Sequence, residues 1–243
     1  MKKSLVALFL LLGSIAPAAA QQSRAQYDMC LARVQTDPQA ALLLATSWAK
    51  QGGAGPADHC TALALVSLHR YKEAATKLDE LAHSSFASDV SLRTELADQA
   101  GNSWMLAGQP DDAVASFTTA LRGDPANSDL LTDRARAYAL QQNWAKAESD
   151  LGAALMVEPD RADLLILRGS ARHAMGHRAD ARADFDRALQ LRPGDADALV
   201  ERGVMKLEAG DNAGARSDWQ ATVASAPGSA AAERARQYLS SGG

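Results

Sequence analysis

Four prolines, Pro125, Pro159, Pro193 and Pro227, stand 34 residues apart in succession. A spacing kept that strictly marks a stacked repeat, in which each unit buries its apolar face only against its neighbours. Counting back divides residues 94–229 into four units that begin at Thr94, Ser128, Ala162 and Ala196. Position eight then reads Gly101, Ala135, Gly169, Gly203, and position twenty reads Ala113, Ala147, Ala181, Ala215. Position twenty-four is large each time: Phe117, Leu151, Phe185, Trp219. Position twenty-seven reads Ala120, Ala154, Ala188, Thr222. Small residues at eight and twenty let two antiparallel helices approach closely, and the bulky residue fills the gap beside them. Position fifteen (Gly108, Gln142, Gly176, Gly210) falls where the first helix should stop. Proline closes each unit because it has no N–H to continue a helix. Asp129, Asp163 and Asp197, with Glu95 equivalent, stand where the next helix presents its positive end.

Composition agrees with packed helices. Hydrophobic residues reach 47% while aromatics stay at 5%, so the apolar content is mainly Ala and Leu, which form helices readily. The period and columns resemble the tetratricopeptide repeat, with departures. Position four, often Trp in that family, is Ala97, Leu131, Leu165 and Leu199 here. Position eleven, often Tyr, reads Trp104, Tyr138, Arg172 and Lys206, so the later units lose an aromatic contact. The resemblance implies an all-α, right-handed α-solenoid of about six helical hairpins and a C-terminal capping helix. It also puts positions two, five, nine and twelve on a concave face that binds a partner. In the regular units these include Asp98, Asn102, Met105, Asp129, Thr132, Arg136, Asp163, Ile166, Ser170 and His173. The set departs from the Lys/Asn/Arg clamp with which some family members grip a C-terminal carboxylate. Asn102 fits one clamp place, but Asp98 and Asp133 stand where basic or amide groups are wanted.

The N-terminal third follows the pattern more loosely. Arg24–Gln35 with Pro38–Lys50, and Asp58–His69 with Tyr71–Ala82, read as two hairpins around the Gly52–Pro56 loop. Residues 21–93 thus form divergent hairpins, 94–229 the four regular units, and 230–243 a capping helix and frayed tail. Arg234 and Arg236 suit the solvated outer face of such a cap. Ahead of all this, Lys2 and Lys3, an apolar run from Leu5 to Ile15, and Pro17 with Ala18–Ala20 have the order of a secretory signal. Residues 1–20 are therefore expected to be removed, leaving a mature, exported chain with 23 basic and 29 acidic residues. That acidic balance disfavours a nucleic-acid partner. No other stretch is apolar for long enough to cross a bilayer. In an oxidising compartment Cys30 and Cys60 read first as a disulfide, whose loop of about thirty residues is worth about 3–4 kcal/mol on the chain-entropy model. A zinc site using His59 lacks the ligand spacing.

Arg134, Arg168 and Arg202 at position seven accompany Asp150, Asp184 and Asp218 at position twenty-three, while the first unit has Ala100 and Ser116. Joint presence and absence predicts structural ion pairs between the two helices of a unit. No cofactor or metal is expected. Of the five histidines only His173 and His177 share helical spacing, and no nucleophile, metal or phosphate-loop motif accompanies them. The sequence therefore points to a non-catalytic periplasmic or secreted scaffold for a protein or peptide partner, acting by analogy in the cell envelope. An enzyme subunit with a non-local site and a self-assembling structural protein are the alternatives.

Overall fold

The computed structural model describes residues 16–241. The N-terminal apolar run and the last two glycines lie outside the described residues, so the expected signal segment is described only from Ala16 onward. Those described form thirteen α-helices and no strand: α1 (Ala16–Thr36), α2 (Pro38–Lys50), α3 (Pro56–Ser67), α4 (Tyr71–Ala82), α5 (Val90–Leu106), α6 (Pro110–Gly123), α7 (Ser128–Leu140), α8 (Trp144–Val157), α9 (Ala162–Ala174), α10 (Arg178–Leu191), α11 (Ala196–Glu208), α12 (Asn212–Ser225) and α13 (Ala230–Ser240). A single 3₁₀ turn, Ser85–Ala87, interrupts the connector after α4. Helix α1 starts upstream of the expected Arg24, through an alanine-rich stretch that favours helix.

Two compact units divide within α4, between Lys77 and Leu78. In the first, α1, α2 and α3 pack on one another around Cys30, Val34, Ala41, Ala45, Cys60 and Ala64. Cys30 on α1 and Cys60 on α3 are bonded as a disulfide, with their Cα atoms 6.2 Å apart. Beside it the Tyr27 hydroxyl and His59 Nδ1 share a 2.6 Å hydrogen bond, and the two rings stack.

The second unit holds the regular repeats. Its helices pair as α5 with α6, α7 with α8, α9 with α10 and α11 with α12, each pair packing on the next and α13 closing on α11 and α12. The turn inside each pair is the same. At position fifteen Gly108, Gln142, Gly176 and Gly210 all take positive φ, and His69 does so between α3 and α4. In each, the following N–H returns to the carbonyl five residues back, as from Gln109 to Trp104, Asn143 to Tyr138 and Arg70 to Leu65. This is a Schellman closure, which satisfies carbonyls that the helix end leaves free. Gln142 and His69 accept a conformation that glycine adopts without steric cost.

Positions eight and twenty-four act as a matched pair. A Cβ added to Gly101 or Gly169 would lie 2.5 or 2.7 Å from ring atoms of Phe117 or Phe185, and one on Gly203 would strike Trp219. All three rings are fully buried. Where position eight carries a methyl, as Ala135, position twenty-four is the smaller Leu151. Constant volume across the helix pair explains the covariation.

Candidate functional site

The arginine and aspartate columns meet inside their units. Arg134 grips Asp150 through two hydrogen bonds of 2.7 and 2.8 Å. Arg168 holds Asp184 at 3.0 and 2.6 Å, and Arg202 holds Asp218 at 2.8 Å twice. The carboxylates are 10, 5 and 6% exposed, so these are bidentate pairs largely withdrawn from water.

Position eleven, read from sequence as a lost aromatic contact, supplies a second cation instead. Arg172 Nη1 lies 2.9 Å from Asp184, and Lys206 Nζ lies 2.9 Å from Asp218. Burial works against the Asp218 charge, but hydrogen bonds from Arg202 and Lys206 outweigh it and hold the carboxyl below its ordinary range. In the earlier unit Tyr138 keeps the aromatic and takes Arg134 and Lys146 over its ring, 5.9 and 5.1 Å from the centroid. The first unit, lacking both partners, uses Asp79 from α4. Its carboxylate accepts from Trp104 Nε1 at 2.7 Å and from Ser116 Oγ at 2.8 Å. Asp79 lies in the irregular region, so the repeat alignment carried no signal for it.

Of the ten residues expected on the binding face, four come together. Arg136, Asp163, Ile166 and Ser170 line one concavity of about 450 Å³. They are joined by residues that the position rule omitted, chiefly Leu167 and Glu201 at position six and Arg234 from α13. Arg234, expected on the outer face of the cap, turns back to Asp197 at 2.9 Å and Glu201 at 2.8 Å on α11. A second recess of about 80 Å³ opens beside Arg136, between Ala139, Trp144, Leu151 and Leu167.

Thr132 is a correction. It is 1% exposed, its hydroxyl bonds the Ser128 carbonyl at 2.6 Å, and it cannot face a partner. Asp133, one residue on, is half-buried and bonds Arg136 at 2.7 Å. Position five is buried at Thr132 and Val200 but half-buried at Asp98 and Ile166, a difference that a 34-residue count does not reveal. His173 bonds Glu208 on α11 at 2.9 Å, outside the concavity. Asn102 is exposed and donates to the Asp98 carboxylate at 2.9 Å, while Met105 is half-buried.

The acidic column also has a structural use. Arg161 reaches Asp129 on α7 at 2.7 Å and Asp163 on α9 at 2.8 Å, joining successive first helices. Its hydrogen bonds to Asp163 and Asp129 push its own pKa up.

Asp98 lacks such compensation. Burial raises its carboxyl pKa to about 6, and the neighbouring charge of Asp133 adds to the rise against the opposing Asn102 hydrogen bond. Between the ordinary value of 3.8 and about 6, the folded chain retains a proton that the unfolded chain has lost. Stability therefore falls as pH rises through that window and stays lowered above it. Asp98→Asn, which keeps the shape and the contact with Asn102, is expected to stabilise the chain at pH 8 by about 1 kcal/mol after solvent screening. The gain should vanish by pH 4, and thermal denaturation at both pH values measures it. An equal gain at both would remove the electrostatic explanation.

Two tetratricopeptide-repeat family models match this chain, one over residues 105–171 and the other over 166–232. RNA polymerase II-associated protein 3 of Xenopus tropicalis is 37% identical over 59 residues, which is 24% of this chain and 9% of that protein. The chain thus spans less than a tenth of that curated relative. The first tetratricopeptide domain of Spaghetti (RPAP3), solved with an HSP90 peptide, matches with a TM-score of 0.47 at 29% identity, over 48% of this chain and 93% of that one. MamA from Desulfovibrio magneticus RS-1 superposes with a TM-score of 0.62 at 18% identity, over 70% of this chain and 93% of that one, which is a likeness of fold. Period, helix pairing and turn geometry agree with the family matches, and the chain is a tetratricopeptide-repeat protein.

Proposed function

We propose that this chain is a non-catalytic, exported adaptor that holds a protein or peptide segment against the first-helix face of its regular repeats. Tetratricopeptide repeats typically mediate protein–peptide binding. The observation that carries the reading for this chain is the concavity between Arg136 and Arg234. Its floor is aliphatic, from Ile166 and Leu167, and its rim presents both signs of charge. Such a surface suits a segment with one short aliphatic side chain flanked by polar groups, and the recess under Arg136 has room for that side chain. The charge pattern at the start of the chain supports export, and a periplasmic role in building or maintaining the cell envelope follows from that setting.

The test is crosslinking in envelope extract with a photoreactive group at Ser170, followed by Arg136→Glu combined with Asp163→Arg. The crosslinked partner is expected to be lost by at least about tenfold in the reversed variant. Circular dichroism should show its fold retained. Unchanged capture by the variant would move the binding surface elsewhere. A mature N-terminus at Gln21 in the periplasmic fraction is the expected result for export, and an intact Met1 in the cytoplasm would refute it.

A further inference from the structure

Away from that face, between the end of α4, the start of α5 and the end of α6, lies a pocket of about 380 Å³. Arg93, Arg122, His83, Thr94 and Thr119 supply its polar lining, and no carboxylate lines it. This is unusual for the chain. Fifteen arginines lie from Arg93 to Arg236, and twelve of them pair with a carboxylate. Arg216 has an interaction of its own. Arg93 and Arg122 meet no carboxylate among the described residues, and both line this pocket. Arg93 gives one N–H to the Ala87 carbonyl at 2.8 Å, which leaves most of its fork unused. His83 Nδ1 bonds the Asp79 carbonyl at 2.8 Å, so Nδ1 carries the proton and Nε2 is the free ring nitrogen.

The next repeat shows what the position-one hydroxyl takes when an acid is at hand. There Ser128, the equivalent of Thr94, donates to Glu158, which Arg161 also bonds. The equivalent acid of the first unit, Asp124, accepts from Asn127 instead and does not line the pocket. Two uncompensated guanidinium groups carry two positive charges, and planar forks suit the oxygens of a dianion. A carboxylate would satisfy only one of them. The apolar part of the lining, Ala82 and Val90, can cover a short carbon substituent, and the volume lies within the range of about 300–1,000 Å³ usual for small-molecule sites.

We propose that this pocket binds a small soluble phosphomonoester, with its phosphoryl group between Arg93 and Arg122 and hydroxyl support from Thr94 and Thr119. Calorimetric titration of the full chain with glycerol 3-phosphate tests it, with glycerol and acetate as controls. Saturable one-to-one binding of the ester alone is expected. Arg122→Gln, which breaks no bond within the fold, should weaken binding by at least about tenfold. Arg187→Gln, at an arginine outside the pocket that Asp160 already pairs, should leave it unchanged. An adventitious surface effect would appear as equal binding by wild type and Arg122→Gln, and would overturn the proposal. So would no binding of the ester, or binding only to vesicles containing phosphatidic acid.

Discussion

Replacing Asp184 with alanine is expected to cost about 3–5 kcal/mol of stability, read from urea denaturation by tryptophan fluorescence and circular dichroism. The carboxylate is 5% exposed and neutralises two guanidinium groups, Arg168 and Arg172. Its removal strands Arg168 between α9 and α10 without a carboxylate, while Arg172 keeps Glu148 at 2.7 Å. The penalty arises from the stranded Arg168 charge and the lost Arg172 contact, which is why removing one cation should cost less here. After Arg168→Ala, Arg172 still holds Asp184. Asp150 has no second cation of that kind, because position eleven of its unit is Tyr138. Arg134→Ala should therefore destabilise more than Arg168→Ala, although the two arginines occupy the same repeat position. By contrast, Asp129→Ala removes a side chain 77% exposed and should change stability by only about 0–1 kcal/mol. A double-mutant cycle on Arg168 and Asp184 that returned no coupling would show the pairs to be inert.

Trp219→Ala is expected to cost about 3–5 kcal/mol, the usual range for emptying a buried aromatic site. Trp219 is fully buried, stacks on Tyr238 of α13 at 4.8 Å between centroids, and donates from Nε1 to the Val200 carbonyl at 3.3 Å. Its loss would both open a cavity between α11 and α12 and loosen the capping helix. Gly203→Ala attacks the same contact from the other side by pressing a methyl into the ring, at about 1–3 kcal/mol. Combining Gly203→Ala with Trp219→Leu recreates the Ala135–Leu151 pairing of the second regular unit. That double variant should be more stable than Trp219→Ala, as measured by melting temperature. If it were the least stable of the three, volume matching between positions eight and twenty-four would not be the controlling factor.

The periodic features were legible because each repeat solves the same local problem with residues near in sequence. A second helix must approach the first, so small residues recur at fixed distances from large ones. A turn must reverse the chain, so position fifteen favours glycine, and even Gln142 obeys that geometry when the type differs. Arg168 and Asp184 are only sixteen positions apart, and the joint recurrence of the two columns makes the pairing readable in the sequence.

The rest depended on contacts that the repeat columns do not announce. Asp79 replaces a missing arginine–aspartate pair from a helix outside the regular period, where alignment has no register to offer. Arg172 and Lys206 read as departures from a family pattern until the fold set them against buried carboxylates. Of the ten residues expected on the first-helix face, four line one concavity and Thr132 is buried, neither of which the position rule foretold. The chain's own sequence determined the period, the helix pairs and their turns, since these follow from steric fit within 34 residues. Only the tertiary structure decided which charges are shared, which are left over at Arg93 and Arg122, and where the surface becomes concave. Those properties come from how helices pack, within a repeat at Arg172 and Lys206 and between repeats at Asp79 and Arg234, which the 34-residue spacing does not carry.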